Sequence, residues 1–153
     1  MPVPWLRPSG SVTVSRPIQR VFGYYLSPIA WAPSPRFHEI SRPPQKPLGV
    51  GDQFSATYQQ AGQNVETHFE VREVEHPRRV VVSFDVGDVT QLTTVTLEST
   101  ATQDTVLTMS MEMRGTGCSL LNPTATVLLP VMMRLAVGRT LRGERQRIES
   151  LER

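Results

Sequence analysis

Cysteine is almost missing. Cys118 is the only one, which excludes an intramolecular disulfide and any cysteine-cluster metal site. Lysine is equally scarce, with Lys46 alone among 16 basic residues. Those 16 cations face 14 Asp and Glu, for a net charge of +2. That excess is too small for a general nucleic-acid binder, so no nucleic-acid partner is expected. Long hydrophobic runs are absent too. The longest, Val127–Met133, is interrupted by Pro130 and ended by Arg134, far short of the roughly 20 residues of a spanning helix. Nor does the stretch from Met1 to Pro8 carry the apolar centre of a leader peptide. These absences predict a soluble cytoplasmic protein with no integral membrane segment. Only three histidines occur, His38, His68 and His76. None is spaced i,i+4 from another, so neither a metal nor a cofactor is expected.

What is present suits one ordinary domain. A chain of 153 residues buries roughly 68–70% of its unfolded surface and needs no staple. Proline divides it, since ten of 13 lie between Pro2 and Pro47. Ser11–Ser15 alternates and predicts a first strand, and Pro17 opens a short helix to Tyr25 with Ile18, Val21, Phe22 and Tyr25 or Leu26 on one face. Pro28, Pro33 and Pro35 restrict the next helical turn to Ile29–Trp31. Six further strands are predicted over Phe37–Ser41, Gln53–Gln60, Val65–Glu75, Arg79–Val86, Thr90–Thr100 and Thr105–Arg114. In the longest, Val65, Thr67, Phe69 and Val71 point one way and Glu66, His68, Glu70 and Arg72 the other. Asn122-Pro123 then caps a helix reaching toward Glu152, kinked or restarted at Pro130. Its apolar stripe is expected through Leu128, Val131 or Met132, Leu135, Leu141, Ile148 and Leu151, with Gly138 allowing a close approach to another element. Tight turns between successive strands imply an antiparallel meander, and only the last helix is long enough to cover its apolar face.

In this order the chain resembles the START-like, helix-grip superfamily (SRPBCC), and within it the polyketide cyclase/dehydrase-like proteins. Val14–Phe22 resembles the family's strand-to-helix opening, and Leu26–Trp31 its short turn with a tryptophan. Gly49-Val50-Gly51-Asp52-Gln53-Phe54 resembles the Gly-x-Gly approach to the third strand. Phe69–Val80 resembles the strand–turn–strand with proline at its tip. The terminal helix matches in length and place. Ser27 stands where aspartate is common, and the final helix carries Pro130 and Gly138. The resemblance spans Ser11 to Glu152 and implies an α+β fold: a curved seven-stranded antiparallel sheet wrapped around a long C-terminal helix, with two short helices after the first strand. Residues 1–10 would be a tail and 11–153 the helix-grip domain. Proteins of this kind enclose lipids, sterols, polyketides or plant hormones in an apolar cavity, and some cyclise polyketides. They share no catalytic triad, so no catalytic residue carries over.

The residues suggest where such a cavity would lie. Met109, Met111 and Met113 share one face of the last strand, and methionine adapts to varied apolar guests. The same pattern is expected of ordinary core filling. With Trp31, Phe37, Phe54, Tyr58, Phe69, Phe84, Leu128, Met132 and Leu135, these three form the candidate ligand-binding set. Met133 accompanies Met132. A cyclase would add polar groups inside the pocket, for which Tyr58, Gln91 and Thr93 are candidates, while Glu112 and Arg114 alternate onto the other face. His38 is placed to guard a cavity mouth. Arg134, Arg139, Arg142, Arg145 and Arg147 form a basic row, read as a solvated helix face or a surface for an acidic partner or anionic lipid. Three functions remain open: binding of a small hydrophobic ligand, a polyketide cyclase or aromatase, and a ligand-free interaction protein such as a homodimer.

Overall fold

Period-two alternation sends neighbouring side chains to opposite faces of a strand, and here it produces one sheet with a dry side and a polar side. The computed structural model describes residues 8–31, 37–41, 47–60, 62–86, 89–115 and 123–150. The elements in chain order are β1 (Ser9–Val14), α1 (Ile18–Tyr25), α2 (Pro28–Trp31), β2 (Phe37–Ser41), β3 (Gln53–Gln60), β4 (Gln63–Glu75), β5 (Arg79–Val86), β6 (Val89–Ser99), β7 (Thr105–Gly115) and α3 (Pro123–Ser150). All neighbouring strands are antiparallel, in the order β1-β7-β6-β5-β4-β3-β2. Gly62, at φ +78°, turns β3 into β4, a conformation that side-chain-bearing residues resist.

The α+β, helix-grip layout is therefore present, with one correction to the expected seven-stranded sheet. The regular open sheet has six strands. The five-residue β2 lies outside β3, and its register shifts between His38 and Ser41. Prolines close on both sides of it, Pro35 before and Pro43 after, and leave no length for a longer ladder.

The inner face follows the register. Phe54 pairs with Phe69, Phe69 with Phe84, and Phe84 with Gln91. The next row runs Val71, Val82, Thr93, Met111. A bulge between Val71 and Glu73 brings Val74 onto the same side, where it starts a third row of Val80, Val95, Met109 and Gly10. The sequence reading of β4 holds: Thr67, Phe69 and Val71 are buried, while Glu66, His68 and Arg72 are exposed.

Two helices cover this face. α1 lies on β6 and buries Val21, Phe22, Tyr24 and Tyr25. α3 lies on β1 and the margin of β7. The close approach belongs to the strand, not to the helix as expected: a Cβ on Gly10 would stand 3.0 Å from Leu141 Cδ1 and 3.2 Å from Val137 Cγ1, while one on Gly138 would meet nothing within 4 Å. Further along, the Glu149 carboxylate accepts from the Ser15 backbone N–H at 3.0 Å, and the Arg16 guanidinium donates to the Glu149 carbonyl. α3 thus runs beside β1 in the same direction.

The buried stripe of α3 keeps Leu141 and Ile148 from the expected one and departs from it at Leu135. Val137, Leu141, Glu144 and Ile148 face inward, and Leu135 is 59% exposed. At 100° per residue Leu135 points nearly opposite to Val137. Helix α3 continues through Pro130 without a second start.

Candidate functional site

One inner face carries two kinds of surface. Val80, Val82, Val95 and Leu107 are wholly buried, with Met109 and Leu97 almost so. Next to them Phe84, Gln91 and Met111 are only half-buried. These three adjoin. Gln91 pairs with Phe84, the Gln91 side-chain amide donates to the Thr93 hydroxyl at 3.3 Å, and Thr93 pairs with Met111. Phe84 closes an aromatic row: Phe54 and Phe69 stack at 4.6 Å with planes 2° apart, and Phe69 and Phe84 tilt at 5.3 Å. The patch is a flat aromatic wall on β3–β5, a flexible thioether on β7 and an amide–hydroxyl pair between them. Such a surface offers dispersion contacts to an apolar guest and a small number of hydrogen bonds to orient it. Thr67, also on the inner face, has a buried hydroxyl without a hydrogen-bond partner.

The other candidates fall in three places. Phe54, Phe69 and Met109 are buried in the core beside the patch. Trp31 is buried further off, its indole N–H donating to the Tyr25 carbonyl at 2.8 Å and its ring edge-on to Tyr25 at 5.7 Å. Leu135 faces outward, as above. The side chains of Phe37, Tyr58, Met113, Leu128, Met132 and Met133 lie outside the described residues, as do those of His38, Arg114 and Arg134, and so does Cys118.

On the polar face a groove of about 610 Å³ runs past Ser55, Glu66, His68, Glu70 and Asp85. His68 is exposed there, Arg72 ties Glu70 to Ser83, and Thr90 donates to Asp85 at 2.6 Å. No three of its acids and histidines are arranged to hold a metal among the described residues. Glu112 pairs with Leu92 in the register and lines this polar side. Of the basic row, Arg139, Arg142 and Arg145 are exposed, with Arg145 paired to Glu149 at 3.2 Å.

The sequence reading missed a polar cluster in the core. Glu144 is 1% exposed and lies against Tyr24 and Tyr25 of α1. Burial pushes its carboxyl above the ordinary carboxylate range, and the two hydroxyls and Arg147 draw it partly back. Burial, then the neighbouring Glu144 charge, raises both phenols in turn. The signal was legible as spacing: positions 137, 141, 144 and 148 make one helical stripe with an acid inside it.

Strand order, inner-face helix and solved relatives converge. The chain has a helix-grip fold: one antiparallel sheet with a long C-terminal helix on its inner face. Three solved structures illustrate it. A Polyketide_cyc-like protein, Cgl2372 from Corynebacterium glutamicum, is 22% identical with a TM-score of 0.61, over 97% of this chain and 91% of that one. Protein SA2116 of unknown function from Staphylococcus aureus superposes at 0.72 with 9% identity, over 97% and 96%. Ara h 8.0201 superposes at 0.68 with 10% identity, over 96% and 99%. No protein-family model and no curated protein sequence matches the chain. No helix among the described residues is long and apolar enough to cross a membrane.

Proposed function

We propose that this helix-grip chain is a cytoplasmic binding protein for a small hydrophobic guest, an aromatic, polyketide or lipid molecule held between the sheet and α3. The observation that carries the reading is the contiguous half-buried patch of Phe84, Gln91 and Met111 beside the fully buried centre of the same face. A monomer keeps apolar side chains half-open at the edge of its core at a cost in burial free energy, and a guest on this wall would recover it. The similarity to a Polyketide_cyc-like structure agrees with this class of guest. Of the candidate set, Phe84 and Met111 would touch the guest, and Phe54, Phe69 and Met109 would support them. The test is displacement of a fluorescent aromatic probe such as aminoanthracene. Saturable binding that Met111→Trp abolishes without unfolding the protein is the expected result; no saturable binding, or binding indifferent to Met111→Trp, overturns it.

The Gln91–Thr93 pair favours a second reading, a polyketide cyclase or aromatase. In an apolar pocket such a pair can hold a polyketone carbonyl in one orientation. Turnover of a poly-β-ketone analogue that falls in Gln91→Leu while probe binding persists would separate catalysis from binding.

A further inference from the structure

The buried stripe of α3 is apolar except at one position. Between Leu141 and Ile148 stands Glu144, its side chain 2% exposed. Its only cation at ion-pair distance among the described residues is Arg147, one turn on in the same helix, at 3.8 Å and itself 38% exposed. From α1 two neighbouring tyrosines, Tyr24 and Tyr25, bring their hydroxyls toward the same carboxyl group. Neither hydroxyl, nor Glu144 Oε2, closes a hydrogen bond of normal geometry, and all three oxygens are shut off from solvent. The strand beneath α3 presents Gly10, Val12 and Val14 on that face, none of them titratable. Among the described residues the groups facing the carboxyl are thus two phenols from α1 and one guanidinium from its own helix.

Charge decides what this junction can do. A neutral acid and two phenols are three groups that can each donate and accept, so they can complete a ring among themselves or around one water. An ionised carboxylate accepts only, and both phenols must then turn to donate. Its charge must also be carried in the core with one half-exposed guanidinium as counter-ion, which repays little of the desolvation. We propose that Glu144 is a proton-operated latch between α1 and α3: neutral, it lets the helices lie together; ionised, it loosens them. The upward displacement of its titration fits that direction. The sign follows. The closed junction holds the proton more tightly than the open one, so closure is fully favoured below the ordinary carboxylate range. It weakens as pH rises from there to the displaced value, by at most tenfold per pH unit, and levels off above it. The latch acts on the packing of two helices and requires no guest.

Carbon-13 NMR of the side-chain carboxyls in the full chain tests it directly. Glu144 should titrate above the ordinary carboxylate range, and Tyr25→Phe, which removes a hydroxyl favouring the charged form, should move it higher still. Amide exchange in α1 and in residues 137–148 of α3, corrected for the intrinsic rate, should accelerate through the Glu144 titration in the native protein and stay level in Glu144→Gln. Titration of Glu144 within the ordinary carboxylate range overturns the latch, whether or not Glu144→Gln folds. So does the same acceleration in Glu144→Gln.

Discussion

Two ends of one sheet face differ in how far they exclude water. Under α1 and the second half of α3, Val80, Val95 and Met109 in one row and Leu97 and Leu107 in the next are closed, with Gly10 and Val12 on the edge strand β1 half-buried. A few ångströms along the same strands Phe84, Gln91 and Met111 stay half-open. Composition does not separate the ends, since both are mostly aliphatic, aromatic and thioether side chains. What separates them is what lies on top: Gly10 lets Val137 and Leu141 come down onto β1, while among the described residues nothing comparable seals the Phe84–Met111 patch. The closed end maintains the fold, and the open end is where a guest would recover unburied surface.

Truncation should break this contrast most strongly at the closed end. Leu107→Ala is expected to cost about 2–5 kcal/mol in urea unfolding, as a cavity in a dry core does. Met111→Ala, already half-open, should cost under about 2 kcal/mol and act chiefly on guest affinity. Equal losses at the two positions would erase the distinction. Gly10→Ala comes next, at about 1–3 kcal/mol, because its methyl must displace Leu141 or Val137 from a tight contact. Combined with Leu141→Ala the two effects should fall short of additive.

Two carboxylates on α3 sharpen the contrast by opposite signs. Glu144, raised by burial, gives stability that is complete below the ordinary carboxylate range and lost as pH rises through its displaced value. Glu149 is lowered, first by the Ser15 N–H and then helped by Arg145 and Arg16. Its contribution is present above the ordinary range and fades as pH falls through the lowered value. In melting curves across pH, Glu144→Gln should flatten the alkaline side and Glu149→Gln the acid side. Smallest of all, Arg145→Ala should shift stability by no more than about 0.5 kcal/mol, since its pair with Glu149 is solvated.

Much of the fold was legible because strands announce themselves by alternation. The faces of β4, the methionine face of β7 and the single terminal helix all follow from period two and period 3.6. The helix phase followed at Leu141 and Ile148 but not nearer the helix start. Near α3's start almost every position is apolar, so hydrophobicity alone leaves its rotation undetermined, and Leu135 was placed inward in error. Gly10 was likewise invisible, because a glycine's packing role depends on what the fold brings above it. Of the site, the aromatic row and the Met111 position were readable. The division between sealed and half-open was not, since it arises from what the fold lays over the strands and not from the strands themselves.

The most direct measurement follows the methionine methyl groups and the backbone amides by NMR while aminoanthracene is titrated in. The account predicts a saturable shift at Met111, a smaller one at Met109 in the sealed row behind it, and no change in the residues of the polar-face groove. Shifts confined to Ser55, His68 and Asp85, or no saturable shift at Met111, would contradict it.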